Sequence, residues 1–416
     1  MTVLPLLRDL EDATFNPFVS EVEAHGDHLD PYPQLAKWRE QGAVHPGEYR
    51  VAMGMARDKT APDVPSYMIF GYEACSQALG DSETFSNKAY MHNLGICFGR
   101  SVSTMDGEEH AKYRRIFQKV FLPQHVKEWG ASVVQPVVDD LLEEFIHTGK
   151  ADLINQFTLL YPFNVIYRQL DLPPDQGKLF QKLAVTQTLV TIVPEIGMDA
   201  TAKLGEFFPE LIRQRRENPG DDLVSRLVQA EVDGEYLPED VLVSFFRQLV
   251  NAGGDTTYRG TSVFLTMLLK NPDQLEMLRN DRSLLPNAIE EALRYDGPVN
   301  SPARWVTKDI DFFGTHIPKD SIVYVMTGSA NRDPAMFEDP DKFDILRPNA
   351  NRHLAFTVGK HICIGQHLAR IEMTRAINAI LDRLPNLRLD PEKPEPQLHG
   401  IGMRVPYELD VVFDPS

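Results

Sequence analysis

The stretch Phe356-Thr357-Val358-Gly359-Lys360-His361-Ile362-Cys363-Ile364-Gly365 presents one thiol between two glycines and leads into an amphipathic helical pattern. The N-terminal end of a helix carries partial positive charge, which favours a thiolate at Cys363. A thiolate is a strong ligand for iron, and Gly359 and Gly365 let the backbone pass close beneath a flat macrocycle. Taken alone, the stretch leaves open a buried structural cysteine, which is the commoner role of a lone thiol.

The composition is that of an acidic globular protein, with 416 residues, a net charge of −18 and 43% hydrophobic residues. Nucleic acids and anionic membranes bind clustered positive charge, so we expect neither as a partner. Cys75, Cys97 and Cys363 form no disulfide framework, which suits a reducing compartment. Residues 1–15 read as neither a signal peptide nor a membrane anchor, so a cytoplasmic protein is expected.

The rest of the chain reads mainly as helices separated by short breakers. We predict helices over residues 30–41, 72–79, 106–121, 126–148, 156–170, 173–193, 200–216, 221–232, 238–270, 284–295 and 368–384. Short strands are predicted at 66–70, 299–306, 312–317 and 321–327, and a long loop at 87–104. No linker marks a second domain, so residues 1–416 are expected to form a single domain.

The predicted helix 238–270 carries Ala252-Gly253-Gly254-Asp255-Thr256-Thr257 in its middle. Glycine inside a helix costs about 1 kcal/mol relative to alanine, and a threonine that follows can bond a freed carbonyl and bend the helix. Close helix packing explains the two glycines but leaves a buried acid, Asp255, beside Thr256 unexplained. A carboxylate and a hydroxyl together can organise water and deliver protons.

Several of these patterns resemble the cytochrome P450 family. The spacing Phe-x-x-Gly-x-His-x-Cys-x-Gly at 356–365 is similar to the family's haem-ligating signature, and 252–257 is similar to the Ala-Gly-x-Asp-Thr-Thr motif of its distal helix. Thr357 departs from the signature, because the family usually has Gly, Ser or another small residue there. The resemblance implies a mainly α (α+β) cytochrome P450 fold with a small β region and haem b between the distal helix and the Cys helix.

The resemblance also implies roles for individual residues. Cys363 would ligate the iron, Asp255 and Thr256 would supply protons, and Gly253 and Gly254 would open a groove for dioxygen. The residues expected to contact the haem are His110, Arg114, Arg304, His353, Phe356, Cys363 and Gly365. A structural ion network is expected from Glu291, Arg294 and Arg347. The expected substrate pocket consists of Tyr90, Met91, Leu94, Ile96, Phe98, Leu249, Ala252, Gly253, Val299, Ile401 and Met403.

The function implied is that of a haem-thiolate monooxygenase that inserts one oxygen atom from O2 into a medium-sized hydrophobic substrate, by hydroxylation or epoxidation. The chain has no flavin or nucleotide motif, so electrons are expected from NAD(P)H through a ferredoxin reductase and a ferredoxin. We expect that donor to dock on a basic patch of Lys112, Arg115, Lys119, Lys360 and Arg370.

Two alternative functions remain open at this point. One is a haem-thiolate enzyme without O2 activation, such as an isomerase, dehydratase or peroxygenase; Asp255 and Thr256 argue against it, because that chemistry has less need of a proton relay. The other is a non-catalytic haem protein that binds a ligand.

Overall fold

The computed structural model describes residues 6–415, so the part of the N-terminal prediction that concerns residues 1–5 lies outside it. Its α-helices are α1 (Pro17–His25), α2 (Tyr32–Gln41), α3 (Tyr49–Ala52), α4 (Tyr72–Gly80), α5 (Leu94–Phe98), α6 (Gly107–Val120), α7 (Pro123–Trp129), α8 (Gln135–Glu143), α9 (Tyr161–Gln169), α10 (Gly177–Thr188), α11 (Pro194–Glu217), α12 (Leu223–Gln229), α13 (Glu239–Ala252), α14 (Asp255–Lys270), α15 (Pro272–Asn280), α16 (Leu285–Tyr295), α17 (Thr327–Ala330) and α18 (Gln366–Arg383). None of the helices within residues 6–415 is long and apolar enough to span a bilayer.

The strands are short, with two to four residues each. They are β1 (Val44–Pro46), β2 (Ser66–Ile69), β3 (Phe85–Ser86), β4 (Lys150–Asp152), β5 (Glu231–Val232), β6 (Glu235–Tyr236), β7 (Ala303–Val306), β8 (Ile310–Phe312), β9 (Thr315–Ile317), β10 (Ile322–Val325), β11 (Arg388–Leu389) and β12 (Asp410–Val412). Five form a mixed sheet in the order β1-β2-β10-β7-β3, in which β2 and β10 run parallel and the other neighbours antiparallel. A three-stranded sheet, β11-β12-β4, and the hairpins β5-β6 and β8-β9 complete the β region. The predicted mainly α architecture is confirmed.

α14 lies inside the helical layer, and its residues 258–269 are buried without interruption. A helix enclosed on all sides must satisfy its own polar groups. The hydroxyls of Thr261, Ser262 and Thr266 each donate to the carbonyl four residues earlier, at 2.8 Å. α14 packs on α9, α16 and α18, so it forms a fixed wall for the space between it and the start of α18.

The single helix predicted over 238–270 is wrong, because Gly253 and Gly254 separate α13 from α14. The N–H of Gly254 donates to the carbonyl of Asn251 at 3.1 Å, which tightens the chain locally. The Thr256 hydroxyl donates to the Ala252 carbonyl at 2.7 Å. A side chain that bonds into the helical hydrogen-bond ladder is an established cause of a kink, and the interruption at residues 253–254 beside Thr256 is called the kink below.

Two other predictions are corrected. Residues 312–317 form no single strand; β8 and β9 are a hairpin that turns at Phe313 and Gly314, both with positive φ, 48° and 82°. The predicted loop 87–104 contains a 3-10 turn, Asn87–His92, followed by α5. In both places, local turn geometry interrupts a stretch that composition alone made look continuous.

Candidate functional site

Two adjoining cavities lie between the kink and the Cys363 loop. The main cavity has a volume of about 490 Å³ and the side cavity about 210 Å³. Cys363, Thr256 and Ala252 line both of them. The thiol and the kinked helix, which are far apart in sequence, therefore form the walls of one space.

The Cys363 loop is held by its own backbone. The Cys363 N–H donates to the Phe356 carbonyl at 2.9 Å. Gly359 has a φ of 79°, and a Cβ there would lie 3.2–3.3 Å from the backbone of Leu79 and Gly80, so glycine is required. Thr357 has a φ of 59°, which is unfavourable for a β-branched residue, and its hydroxyl donates to the His361 carbonyl at 3.0 Å.

Burial raises the pKa of the Cys363 thiol, although the N–H of Gly365 and the charges of Arg114 and Arg370 act in the opposite direction. Burial therefore outweighs the helix N-terminus, contrary to the expectation from sequence. A thiolate at this position needs a further positive charge, and a coordinated metal ion deprotonates a thiol outright. A buried thiol that faces a cavity is suited to that role.

Two buried nitrogens near the thiol have no hydrogen-bond partner among the described residues: Nε2 of His110 and Nε of Arg114, both on α6. Arg114 Nη2 donates to the carbonyl of Ile362, next to Cys363, at 2.6 Å. Burial and the neighbouring His361 and Arg114 lower the pKa of His110 to about 4, so its ring is a neutral donor at pH 7. Arg304 is buried and lines the main cavity. Because unpaired buried donors are costly, this cluster fits a group that carries carboxylates, as haem does.

The structure places His353, which was also expected to contact the haem, outside this cluster. Its Nε2 bonds Glu290 at 3.1 Å and its Nδ1 accepts from the Ala355 N–H at 3.1 Å, so both ring nitrogens are engaged. His353 lines neither cavity. Glu290 also accepts from Arg370, which makes this a structural cluster beside α18.

His361, to which the sequence analysis assigned no contact with the haem, lines both cavities. Its ring lies 4.0 Å from that of His110, measured between centroids. Its Nε2 bonds Oδ1 of Asp106 at 2.8 Å. Its place two residues before Cys363 was the signal that could have identified it.

Asp255 and Thr256 both line the main cavity. Both oxygens of Asp255 accept from Nε of Arg259, at 3.0 and 3.2 Å, and Nη2 of the same guanidinium donates to Glu21 on α1. Sequence reasoning missed both partners. The spacing of Asp255 and Arg259, four residues apart on a helix, was a usable signal, whereas nothing local pointed to Glu21.

Helix packing accounts for the glycine pair. A Cβ at Gly253 would lie 2.6 Å from Ile166, and one at Gly254 would lie 2.5 Å from Phe163. Both neighbours belong to α9, so the glycines allow α9 to approach the kink. Gly253 also lines the side cavity.

The structure separates the predicted pocket residues into two groups. Those that line the main cavity are Tyr90, Leu94, Phe98, Ala252, Val299 and Met403, while Leu249 and Gly253 line the side cavity. The other three predicted residues line neither cavity. Met91 and Ile96 are 45% and 40% exposed, because the helical turns in 87–98 point them outward, and Ile401 packs in a separate cluster with Tyr49 and Phe70.

Other cavity residues escaped the sequence analysis. The main cavity is also lined by Thr188, Leu189, Thr191, Ile192, Gln248 and Pro298. Glu372, on α18, lines the side cavity, and neither of its carboxyl oxygens has a partner among the described residues. Burial raises the pKa of the Glu372 carboxyl well above its usual value.

Glu291, Arg294 and Arg347 lie together, as the sequence analysis expected. Glu291 accepts from Arg294 at 2.7 and 2.8 Å and from Arg347 at 3.0 and 3.2 Å. Arg294 also donates to three backbone carbonyls, which ties α16 to the segment before the Cys363 loop.

The expected basic patch is largely neutralised within the chain. Lys112, Arg115 and Lys119 contact residues of the acidic turn 231–235, and Lys360 pairs with Glu83. Arg370 is drawn inward by Glu290 and stacks on the ring of Phe356 at 4.5 Å. Arg370 therefore does not belong to an exposed patch.

The comparisons with known proteins agree with this geometry. The sequence model of the family described as Cytochrome P450 matches residues 183–411. Cytochrome P450 107B1 of Saccharopolyspora erythraea is 38% identical over 349 residues, which cover 80% of this chain and 85% of that protein. Steroid C26-monooxygenase of Mycobacterium tuberculosis is 35% identical, with 83% of this chain and 94% of that protein covered.

Solved structures are also similar. The polyketide synthase cytochrome P450 PksS of Bacillus subtilis has a TM-score of 0.84 and 29% identity, with 96% of this chain and 100% of that chain covered. CYP109E1 from Bacillus megaterium, solved with testosterone, has a TM-score of 0.81 and 28% identity, with 92% and 99% covered.

The Cys363 thiol faces a kinked helix across a cavity, and Arg114 and His110 nearby carry buried nitrogens without a partner in the part of the chain that the structure describes. This fold and site are those of a haem-thiolate oxidoreductase. The chain belongs to the cytochrome P450 family. It has the cytochrome P450 fold and is a haem-thiolate monooxygenase, which acts with O2, a substrate and a redox partner.

Proposed function

We propose that Cys363 ligates the iron of haem b and that the enzyme hydroxylates or epoxidises a medium-sized hydrophobic molecule. One observation carries this proposal: the Cys363 thiol and the kink at Thr256 line both adjoining cavities, and Arg114 lines the side cavity. His110 lies against His361, which also lines both cavities, and Nε2 of His110 and Nε of Arg114 have no partner among the described residues. His110, Arg114 and Arg304 would hold the propionates, with His361 beside them. Phe356 and Gly365 would lie against the macrocycle.

The substrate that we infer is a polycyclic apolar compound of about steroid size. Leu94, Leu189 and Val299 supply apolar wall in the main cavity. Oε1 of Gln248 is buried there with no hydrogen-bond partner within residues 6–415, so it offers an acceptor for a substrate hydroxyl. The relative named a steroid C26-monooxygenase and the structure that holds testosterone support this size class.

The haem, when bound, supplies the reductive activation of dioxygen and the oxidation of the substrate. The chain supplies position, exclusion of water and protons. Thr256, whose hydroxyl donates to Ala252, can turn this donor towards the cavity, and Asp255 can replace the proton that Thr256 gives up. The apolar wall holds the substrate and keeps bulk water from competing with it.

Electrons would come from NAD(P)H through a ferredoxin reductase and a ferredoxin. We also infer that residues 1–416 act as one catalytic domain in the cytoplasm. The continuous packing of α14 on helices from the middle and the end of the chain supports a single domain.

The test is the absorbance of the reduced, carbon-monoxide-bound protein. Thiolate ligation predicts a red-shifted band, which Cys363→Ser should lose. A histidine-type spectrum in the wild-type protein would contradict the assignment. Titration of steroids, terpenoids, fatty acids and aromatic compounds, followed by the haem spin-state band, would then identify the substrate class.

A further inference from the structure

A third cavity lies between the site and solvent. This outer cavity, of about 220 Å³, lies between α1 and the C-terminal segment. Val19, which is 58% exposed, and the exposed Asn155 form part of its rim. Glu21, His25 and Met403 line both the outer cavity and the main cavity. These three residues therefore form the partition between solvent and the space at Thr256.

Glu21 is the acid in this partition. It accepts from Nη2 of Arg259, while Nε of the same guanidinium holds Asp255. Arg259 is only 2% exposed, so one buried cation serves two carboxylates. Two carboxylates and one guanidinium together carry one excess negative charge in a buried place, and protonation of one carboxylate can neutralise it.

The titratable and charged groups that surround Glu21 come from several elements. They are Arg259, Asp255 and Tyr258 on α14, His25 on α1, Arg50 on α3, and His399 and Tyr407 in the C-terminal segment. Burial raises the pKa of Glu21 to about 7, against the attraction of Arg259 and with the repulsion of Asp255. Burial and the charges of Arg259 and Arg50 hold the pKa of His25 well below its usual value, so His25 is neutral. Glu21 is thus the group that can exchange a proton near neutral pH.

We propose that Glu21 carries protons from water in the outer cavity to Asp255 and Thr256 in the main cavity; this rests on the proposed function. In each transfer, the Glu21 carboxylate takes one proton from a hydronium ion of the solvent in the outer cavity, which leaves water, and gives it to the Asp255 carboxylate or to a water molecule in the main cavity. Glu21 then returns to a carboxylate. Monooxygenation reduces one atom of dioxygen to water and consumes two protons, so the transfer occurs twice in each turnover, with electrons from the redox partner.

Three variants of the holoenzyme test the proposal. Glu21→Gln keeps the shape but cannot titrate, and Glu21→Asp keeps a carboxyl group. Glu206→Gln is the control, because it removes an exposed carboxylate that pairs with Arg8 and lines none of the three cavities. The probe substrate is the compound that gives the largest spin-state change in the titration.

In Glu21→Gln we expect product formed per NAD(P)H consumed to fall about fivefold or more, with a matching rise in released hydrogen peroxide. The wild-type enzyme should lose coupling above pH 7, where Glu21 is deprotonated, and Glu21→Gln should lack this pH dependence. Glu21→Asp should retain it, and Glu206→Gln should match the wild type. Equal coupling and equal pH profiles in Glu21→Gln and the wild type would overturn the proposal. A wild-type protein without the red-shifted band would overturn the proposed function instead.

A second measurement requires no turnover. The pKa of Glu21 in the folded protein, about 7, lies above its ordinary value of 4.5, so the folded protein binds more protons than the unfolded chain between these pH values. The stability that Glu21 contributes is present below pH 4.5 and is lost as the pH rises to 7. The urea midpoint of the wild type should therefore fall relative to that of Glu21→Gln across this window. Parallel curves would contradict the titration on which the proton transfer depends.

Discussion

The ring of His361 lies 4.0 Å from the ring of His110, and Nε2 of His110 has no partner among the described residues. α6 and the Cys363 loop therefore meet at an unsatisfied donor on the edge of the cavity. A propionate at this edge would accept that hydrogen bond, which distinguishes His110 from the fully bonded His353.

We expect His110→Phe to weaken haem binding by about tenfold to a hundredfold, since a hydrogen bond to a charged group contributes about 1.5–3 kcal/mol. His353→Phe is the matched control. It should lower the free energy of unfolding, because it breaks the bond to Glu290, but leave haem dissociation unchanged. Transfer of haem to excess apomyoglobin, followed by absorbance, measures the rate. If both variants accelerated haem loss equally, His353 would have to be assigned to the haem site as well.

Thr357 is a β-branched residue in left-handed backbone, a conformation that costs about 1–3 kcal/mol. Thr357→Ser keeps the hydroxyl that bonds His361 and removes the branch, so it should raise the free energy of unfolding by up to about 1 kcal/mol. Thr357→Val keeps the branch and loses the bond, so it should lower that energy by about 1–2 kcal/mol. Urea unfolding of both variants is the measurement. The same sign of change in both would show that the branch does not strain the loop.

Gly254 lies against the ring of Phe163, so Gly254→Ala should cost about 1–3 kcal/mol of unfolding free energy through overpacking. Gly80→Ala is the control, since nothing lies within 4 Å of its added Cβ at the end of α4; it should be neutral or gain up to about 1 kcal/mol. Combining Gly254→Ala with Phe163→Leu should recover part of the loss, measured against Phe163→Leu alone. No recovery would indicate that the ring is not the obstacle.

The ionisation of Glu290 makes the free energy of unfolding depend on pH in the acid range. Burial alone would raise its pKa, but the hydrogen bonds from Arg370 and His353 outweigh burial and lower the pKa to about 2, from an ordinary 4.5. The unfolded chain therefore takes up this proton first as the pH falls. Glu290 therefore contributes on the order of 3 kcal/mol to the free energy of unfolding. This contribution is fully present above pH 4.5 and is lost as the pH falls towards 2.

The stability difference between the wild type and Glu290→Gln should therefore shrink as the pH is lowered from 5 towards 2, in urea titrations at fixed pH. Glu210→Gln is the control, because Glu210 pairs with Arg213 at the surface, where solvent screens the pair. Its stability difference from the wild type should change much less with pH. A difference that is constant with pH would mean that Glu290 titrates normally.

The sequence by itself determined the features that depend on neighbours along the chain. The helix-rich pattern predicted a mainly helical chain, and the resemblance of the Cys363 stretch and of the Asp255-Thr256 segment to the cytochrome P450 family implied the fold and the chemistry. The physical basis of these patterns is local, because backbone turns, helical periodicity and adjacent side chains are set within a few residues.

Only the tertiary structure decided which polar groups remain unpaired. Nothing in the sequence separates the roles of His353 and His361. In the structure the ring of His353 is hydrogen-bonded to Glu290, whereas contacts with Asp106 and His110 hold the ring of His361 at the cavity. Gly254 is explained by Phe163, and Asp255 shares Arg259 with Glu21 of the N-terminal helix. Burial and long-range contacts set the charge state and the hydrogen-bond capacity of a side chain, and neither is encoded by its own neighbours in the chain.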